Sequence, residues 1–174
     1  MDVGLLLLRA VVGLLLAGHG AQKLFGWYGG HGLQGTAGFL ESLGWRPGRA
    51  FAVILGGLEL AGGLALALGL LTPLAAGALA AVLASAAWFV HRRNGLWNQG
   101  GGVELPMVLA VAALALGFIG AGRFSLDHLL GWSLRGASWG LWTLTIMLAG
   151  WLAAAAARRL PARERSGTTV GQAA

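Results

Sequence analysis

Apolar residues fill the chain in five long runs, separated by short stretches that are polar or rich in glycine. The runs cover about residues 3–25, 50–71, 74–91, 103–119 and 137–157. Each approaches the roughly 20 residues that an α-helix needs to cross a bilayer. Thr72 and Pro73 make a tight turn between the second and third runs, with Pro73 placed to open the third helix. Pro106 falls in the first turn of the fourth, where proline is tolerated. Between the first two runs, the stretch GWYGGHGLQGTAGFLESLGWRPGR holds a segment at 36–43 that predicts a short amphipathic helix lying at the membrane interface. Trp27, Tyr28 and Trp45 suit the headgroup belt. The pattern predicts an all-α fold: an integral membrane four-helix bundle over 1–130, an additional C-terminal transmembrane helix over 131–157, and a basic, disordered cytoplasmic tail over 158–174. The alternative for the fifth run is a helix lying along the bilayer.

Composition strengthens the membrane reading. Of 174 residues, 57% are hydrophobic and 10% charged, and the mean hydropathy is +0.74. A soluble domain carries roughly a quarter charged residues, so these charges are too few for a water-facing surface. The net charge of +6 and pI of about 11.6 would point to nucleic acid in a soluble protein. Here the basic residues flank apolar runs, which makes them topology signals and contacts to anionic lipid. No nucleic-acid partner is expected. The Arg158, Arg159, Arg163 and Arg165 cluster places the tail in the cytoplasm by the positive-inside rule. Counting back across five spans puts Lys23, Arg46, Arg49, Arg92 and Arg93 on the same side, leaves Arg123 and Arg135 outside, and puts the N-terminus outside. The first run is read as a retained helix rather than a signal peptide, because an acid leads it and polar residues continue to Lys23. Without cysteine, the chain forms no disulfide or thiolate site of its own.

Ionisable side chains within spans are costly and usually face the bundle interior. Arg9, His19, Gln22 and Lys23 fall on one side of the first helix, spread over roughly 140° at 100° per residue, with Gly13 and Gly20 beside Arg9. Glu59 lies in GGLELAGG, flanked by Gly56, Gly62 and Gly63, which places an acid within a stripe of small residues suited to close helix packing. Arg9 and Glu59 are therefore expected as intramembrane polar packing residues, with Glu59 reaching Arg9 or His19. His91, Asn94 and Glu104 stand at the end of the third helix and the start of the fourth. With His19, Gln22 and Lys23 they are expected to converge in one pocket near the cytoplasmic face, with Lys23 and Glu104 pairing at its rim. Each has a plainer structural reading as an interior pair, a snorkelling head or a cap. Arg123, Asp127 and His128 read as a solvated outer cap. No CxxC, HExxH, phosphate loop or GxSxG is present. A haem between His19 and His91, or zinc on His19, His91 and Glu104, has no repeated ligand spacing behind it. No metal and no intrinsic cofactor are predicted.

The segments HGAQKLFG, GGLELAGG, HRRNGLWNQGGGVELP and GRFSLDHLL, in that order, resemble the DoxX family of small bacterial membrane proteins. The resemblance covers about residues 4–130. It implies a four-helix membrane bundle in the bacterial cell (inner) membrane, with characteristic polar positions at His19, Gln22, Lys23, Glu59, Asn94, Gly102 and Glu104. The family name comes from the small membrane subunit of a thiosulfate:quinone oxidoreductase. That implies a subunit associated with a redox or respiratory system, positioning a quinone for a partner oxidoreductase. The fifth run departs from the four-helix pattern and suits docking to another membrane or redox subunit. Two other functions compete with this one: a non-catalytic accessory subunit of a larger membrane complex, and a carrier using Glu59. The carrier would be helped by broken helices or an inverted repeat, and the sequence shows neither.

Overall fold

The computed structural model describes residues 2–158. Among them the chain is all-α, with one isolated bridge between Trp45 and Arg158. The helices are α1 (Asp2–Phe25), α2 (Gly32–Ser42), α3 (Gly48–Leu68), α4 (Thr72–Ala86), α5 (Glu104–Ile119), α6 (Leu126–Leu129) and α7 (Ala137–Ala157). A π-helical turn, Ala87–His91, and a 3₁₀ turn, Arg92–Asn94, prolong α4 into an apolar helix over Thr72–Asn94. Among the described residues, α1, α3, the prolonged α4 and α7 are long and apolar enough to cross a bilayer; α5 is apolar but has 16 residues. The protein is a multi-pass membrane protein, its helices in contact with lipid. α2 begins at Gly32 rather than residue 36. The tail expected over 158–174 lies outside the described residues, except for Arg158.

α1 and α3 pack backbone to backbone. A Cβ on Gly13 would lie 2.5 Å from the Gly63 carbonyl oxygen, and a Cβ on Gly63 would lie 2.5 Å from the Ala17 nitrogen. Gly20 meets the Leu60 and Gly56 backbone in the same way. Between helices in lipid, such small-residue seams allow close van der Waals packing. The predicted polar and small face of α1 is the one turned to α3. The central core joins this pair to α4 and α5 through Val12, Leu16, Leu66, Leu79, Leu83 and Leu116.

α7 lies against α4 and α5 and buries only a narrow stripe, Gly140 and Thr143. Thr143 Oγ1 donates to the Pro73 carbonyl at 3.2 Å. Near the other end of α7, Trp45 Nε1 donates to the Ala154 carbonyl at 2.8 Å and Arg158 Nε to the Leu43 carbonyl at 2.6 Å. Trp45 therefore does not sit in the headgroup belt: it is buried in a second cluster with Leu40, Ala52 and Phe89. Because α7 touches the bundle at both ends, Lys23, Arg46, Arg49, Arg92, Arg93 and Arg158 share one end of the molecule, here the basic end. Arg123 and Arg135 lie at the opposite end.

At that opposite end, one carboxylate organises the connections. Asp127 Oδ1 accepts from the Leu71 amide at 2.7 Å, and Oδ2 accepts from the Thr72 amide at 3.0 Å and the Thr72 hydroxyl at 2.7 Å. Leu71 has a left-handed backbone (φ 47), uncommon for a residue with a Cβ. Asp127 thus caps the start of α4 from a distant loop, in favourable register with the helix dipole. The expectation of a solvated cap fails for Asp127, which is 3% exposed; His128 and Arg123 are exposed. Arg9 lies close by. Its Nε donates to the Ala67 carbonyl at 3.2 Å, and its terminal nitrogens donate to the Ala121 and Phe124 carbonyls. Asp127→Ala should lower unfolding stability by about 2–4 kcal/mol, since it strands buried donors. His128→Ala should stay within about 0.5 kcal/mol of the parent. Thermal melting of both variants in the same detergent checks this; equal melting would mean that α4 does not need its remote cap.

Candidate functional site

The candidate polar residues separate into two groups. The first lies on α1 and faces α3 and α2. His19 Nδ1 and Gln22 Oε1 are 3.0 Å apart, one turn along the helix, so His19 donates from Nδ1. Gln22 Nε2 donates to the Tyr28 carbonyl at 3.3 Å. Lys23 Nζ forms an ion pair with Glu59 Oε2. The carboxylate side chain is 6% exposed and the ammonium side chain 28%. Glu59 therefore pairs neither with Arg9 nor with His19. Arg9 is engaged by carbonyls at the far end, 14 residues from Lys23, or about 21 Å along α1. Lys23 can reach the middle of α3 because α1 ends well short of the start of α3. Glu59 lies 11 residues into α3, about 16 Å from Gly48. α2 folds into the overhang, and Thr36 Oγ1 donates to the Lys23 carbonyl at 3.2 Å.

This arrangement leaves a cleft of about 250 Å³ between the end of α1 and α2, lined by Gln22, Lys23, Gly30, His31, Thr36 and Phe39 among others. The cleft is tight on its α1 side: a Cβ at Gly30 would run into the Gln22 backbone. Nothing in their local pattern singles out His31 or Thr36, since only the return of α2 against α1 brings them to Lys23.

The second group knits the α4–α5 loop. The His91 Nδ1 to Gly101 carbonyl distance is 2.7 Å; a carbonyl only accepts, so Nδ1 carries the proton. Asn94 Nδ2 donates to the same carbonyl at 3.2 Å. Glu104 Oε2 accepts from the Asn98 amide at 2.8 Å. The Val103 and Glu104 amides return to the Gly95 and Leu96 carbonyls. Gly102 is squeezed in this fold, since a Cβ there would lie 2.5 Å from the Gly95 oxygen. The expected rim pair of Lys23 and Glu104 does not form, because each has another partner. The cleft beside Lys23 is not lined by His19, His91, Asn94 or Glu104, so of the six residues expected in one pocket only Gln22 and Lys23 line it. Among the described residues, no three His, Asp or Glu side chains gather as a metal site.

A profile of the DoxX family matches residues 4–92, from α1 to the end of the prolonged α4's π-turn, and so contains both members of the Lys23–Glu59 pair. The chain belongs to the DoxX family. No curated protein and no solved structure matches it. The matched span stops before NGLW and GGVELP, the stretch in which the α4–α5 loop folds on itself.

In this DoxX protein the Lys23–Glu59 pair has a sharp energetic signature. Lys23→Met leaves a buried carboxylate without its cation and should lower stability by about 3 kcal/mol. Replacing both groups, Lys23→Met with Glu59→Leu, should return stability to within about 1 kcal/mol of the parent, because the desolvation cost goes with the pair. Melting of the two single variants and the double variant measures the coupling; additive losses would show that the groups do not interact.

Proposed function

We propose that this DoxX protein is a membrane subunit associated with a redox or respiratory system, and that the cleft between α1 and α2 positions a quinone headgroup for a partner oxidoreductase. The observation that carries this reading is the make-up of the cleft. Lys23, Gln22 and His31 offer N–H donors for quinone carbonyls, Phe39 offers an aromatic wall, and the Lys23–Glu59 pair stands behind them. Quinone reduction takes electrons from the partner and protons from nearby acids, for which His31 and Lys23 are within the cleft. His91, Asn94 and Glu104 then serve the cleft indirectly, by holding the loop at the same end. Purified in mild detergent, the protein should retain a quinone extractable into organic solvent. Gln22→Leu with His31→Ala should weaken quinone binding about thirtyfold, at about 1 kcal/mol for each of the two lost hydrogen bonds, and lower the retained amount accordingly. Unchanged retention, or none in the parent, overturns the quinone reading.

A second reading is an accessory subunit of a larger membrane complex. It is favoured by the internal satisfaction of the buried polar side chains, each of which finds a partner among the described residues. It is also favoured by the outward apolar face of α7, with Leu141, Trp142, Leu148 and Leu152 exposed. A stoichiometric partner chain without quinone selects it. Both readings put the protein in the bacterial cell membrane, as the family resemblance implies, and the charge asymmetry supports an N-terminus outside and the basic end in the cytoplasm. In intact cells, a cysteine replacing exposed Asn94 should be shielded from an impermeant thiol reagent, and one replacing exposed Ser133 should react. The reverse labelling pattern would invert the orientation.

A further inference from the structure

The end opposite the basic cluster carries its own cavity, of about 300 Å³, between the α5–α6 connection and the segment after α6. Arg123 and Arg135 both line it, arriving from the two sides of α6, together with His128, Trp132 and Ser133. Neither guanidinium forms an ion pair or hydrogen bond among the described residues, and the same holds for the His128 ring, the Trp132 indole N–H and the Ser133 hydroxyl. Two carboxylates also border the cavity, and both are engaged. Asp2 Oδ1 accepts from the Arg123 amide at 3.0 Å, and both oxygens of Asp127 are turned to the start of α4. Arg9 lies beneath, donating to the Ala121 and Phe124 carbonyls, and adds a third guanidinium against those two acids. The cavity wall is thus rich in unengaged donors and has a surplus of positive charge. If the basic end faces the cytoplasm, these are also the two arginines that the positive-inside rule disfavours. Such residues are kept at a cost to topology, and here they meet in one cavity.

We propose that this cavity binds an oxyanion group of the phosphate class, held by Arg123 and Arg135 with Ser133 and His128 as further donors. Guanidinium groups bind phosphate through paired, charge-assisted hydrogen bonds. The group can arrive as the headgroup of an anionic phospholipid or as a free inorganic oxyanion. The binding is separate from the quinone cleft, which lies at the other end of α1.

The full chain in uncharged detergent is melted against increasing inorganic phosphate, with chloride matched for ionic strength, and against phosphatidylglycerol or phosphatidylcholine in mixed micelles. A saturable rise in melting temperature with phosphate assigns the site to a free oxyanion. A rise with phosphatidylglycerol but with neither phosphate nor phosphatidylcholine assigns it to lipid. In both cases Arg123→Gln with Arg135→Gln should weaken the effect at least tenfold in half-saturating concentration, while Arg92→Gln with Arg93→Gln leaves it unchanged. Both arginine pairs are exposed, so the melting temperature without ligand should hold. No stabilisation by either probe overturns the site. So does a stabilisation that survives the Arg123 and Arg135 changes, or one that follows the Arg92 and Arg93 pair instead.

Discussion

The close approach of α1 to α3 is the constraint on which the rest of the structure depends. Gly13 and Gly20 on one helix and Gly63 on the other leave no room for a side chain between the backbones, and Gly56 makes room for the Leu24 side chain. In lipid there is no hydrophobic drive to hold two apolar helices together, so contact at this range must come from packing. Once the seam is set, two ionisable side chains of α1 have fixed destinations. Arg9 reaches the carbonyls at the end of α3 and in the connection after α5. Lys23 reaches Glu59. The cost of placing each charge inside the bundle is met by a partner that the seam delivers, as the membrane interior requires.

The helices were legible because each apolar run is long, and their register within α1 was legible because polar and small residues share one face. The partner of Glu59 was not. From sequence, Glu59 is expected to pair with Arg9 or His19 and Lys23 with Glu104, whereas Lys23 and Glu59 pair with each other. The two helices are offset, and α2 fills the space that the offset leaves. Nothing in the local pattern of α2 encodes that offset; it follows from tertiary packing of Thr36, Leu40 and Trp45.

Asp127 shows the same limit from the other direction. A capping carboxylate close in sequence to its helix leaves a readable signature. Asp127 caps a helix that begins 55 residues earlier, so its surroundings in sequence, FSLDHLL, read as an ordinary polar hairpin. His91, Asn94 and Glu104 stand together at one end of the bundle, and His91 Nδ1, Asn94 Nδ2 and Glu104 Oε2 are each bonded within the loop that carries them. A glycine-rich loop can fold back on itself, and from sequence alone that is indistinguishable from a loop whose polar groups face a ligand.

The distribution of satisfied polar groups bears on what the molecule can do. Arg9 and Asp127 belong to one end and Lys23 and Glu59 to the other half. Val12, Leu16, Leu66, Leu79 and Leu116 lie in the layer between them, all buried and all apolar. An ion or polar solute following the bundle axis would have to cross that layer without a hydrogen-bonding partner, at a cost of several kcal/mol. Glu59, the acid a carrier would use at mid-membrane, is already paired. The arrangement disfavours a path through the molecule and favours recognition at its ends. One end is closed by α2 and bears the cleft beside Lys23; the other is tied by Asp127 and bears Arg123 and Arg135. Under the proposed functions, such a protein would act on what approaches laterally or from an aqueous face, with the apolar helical core between the cleft beside Lys23 and the cavity beside Arg123 and Arg135.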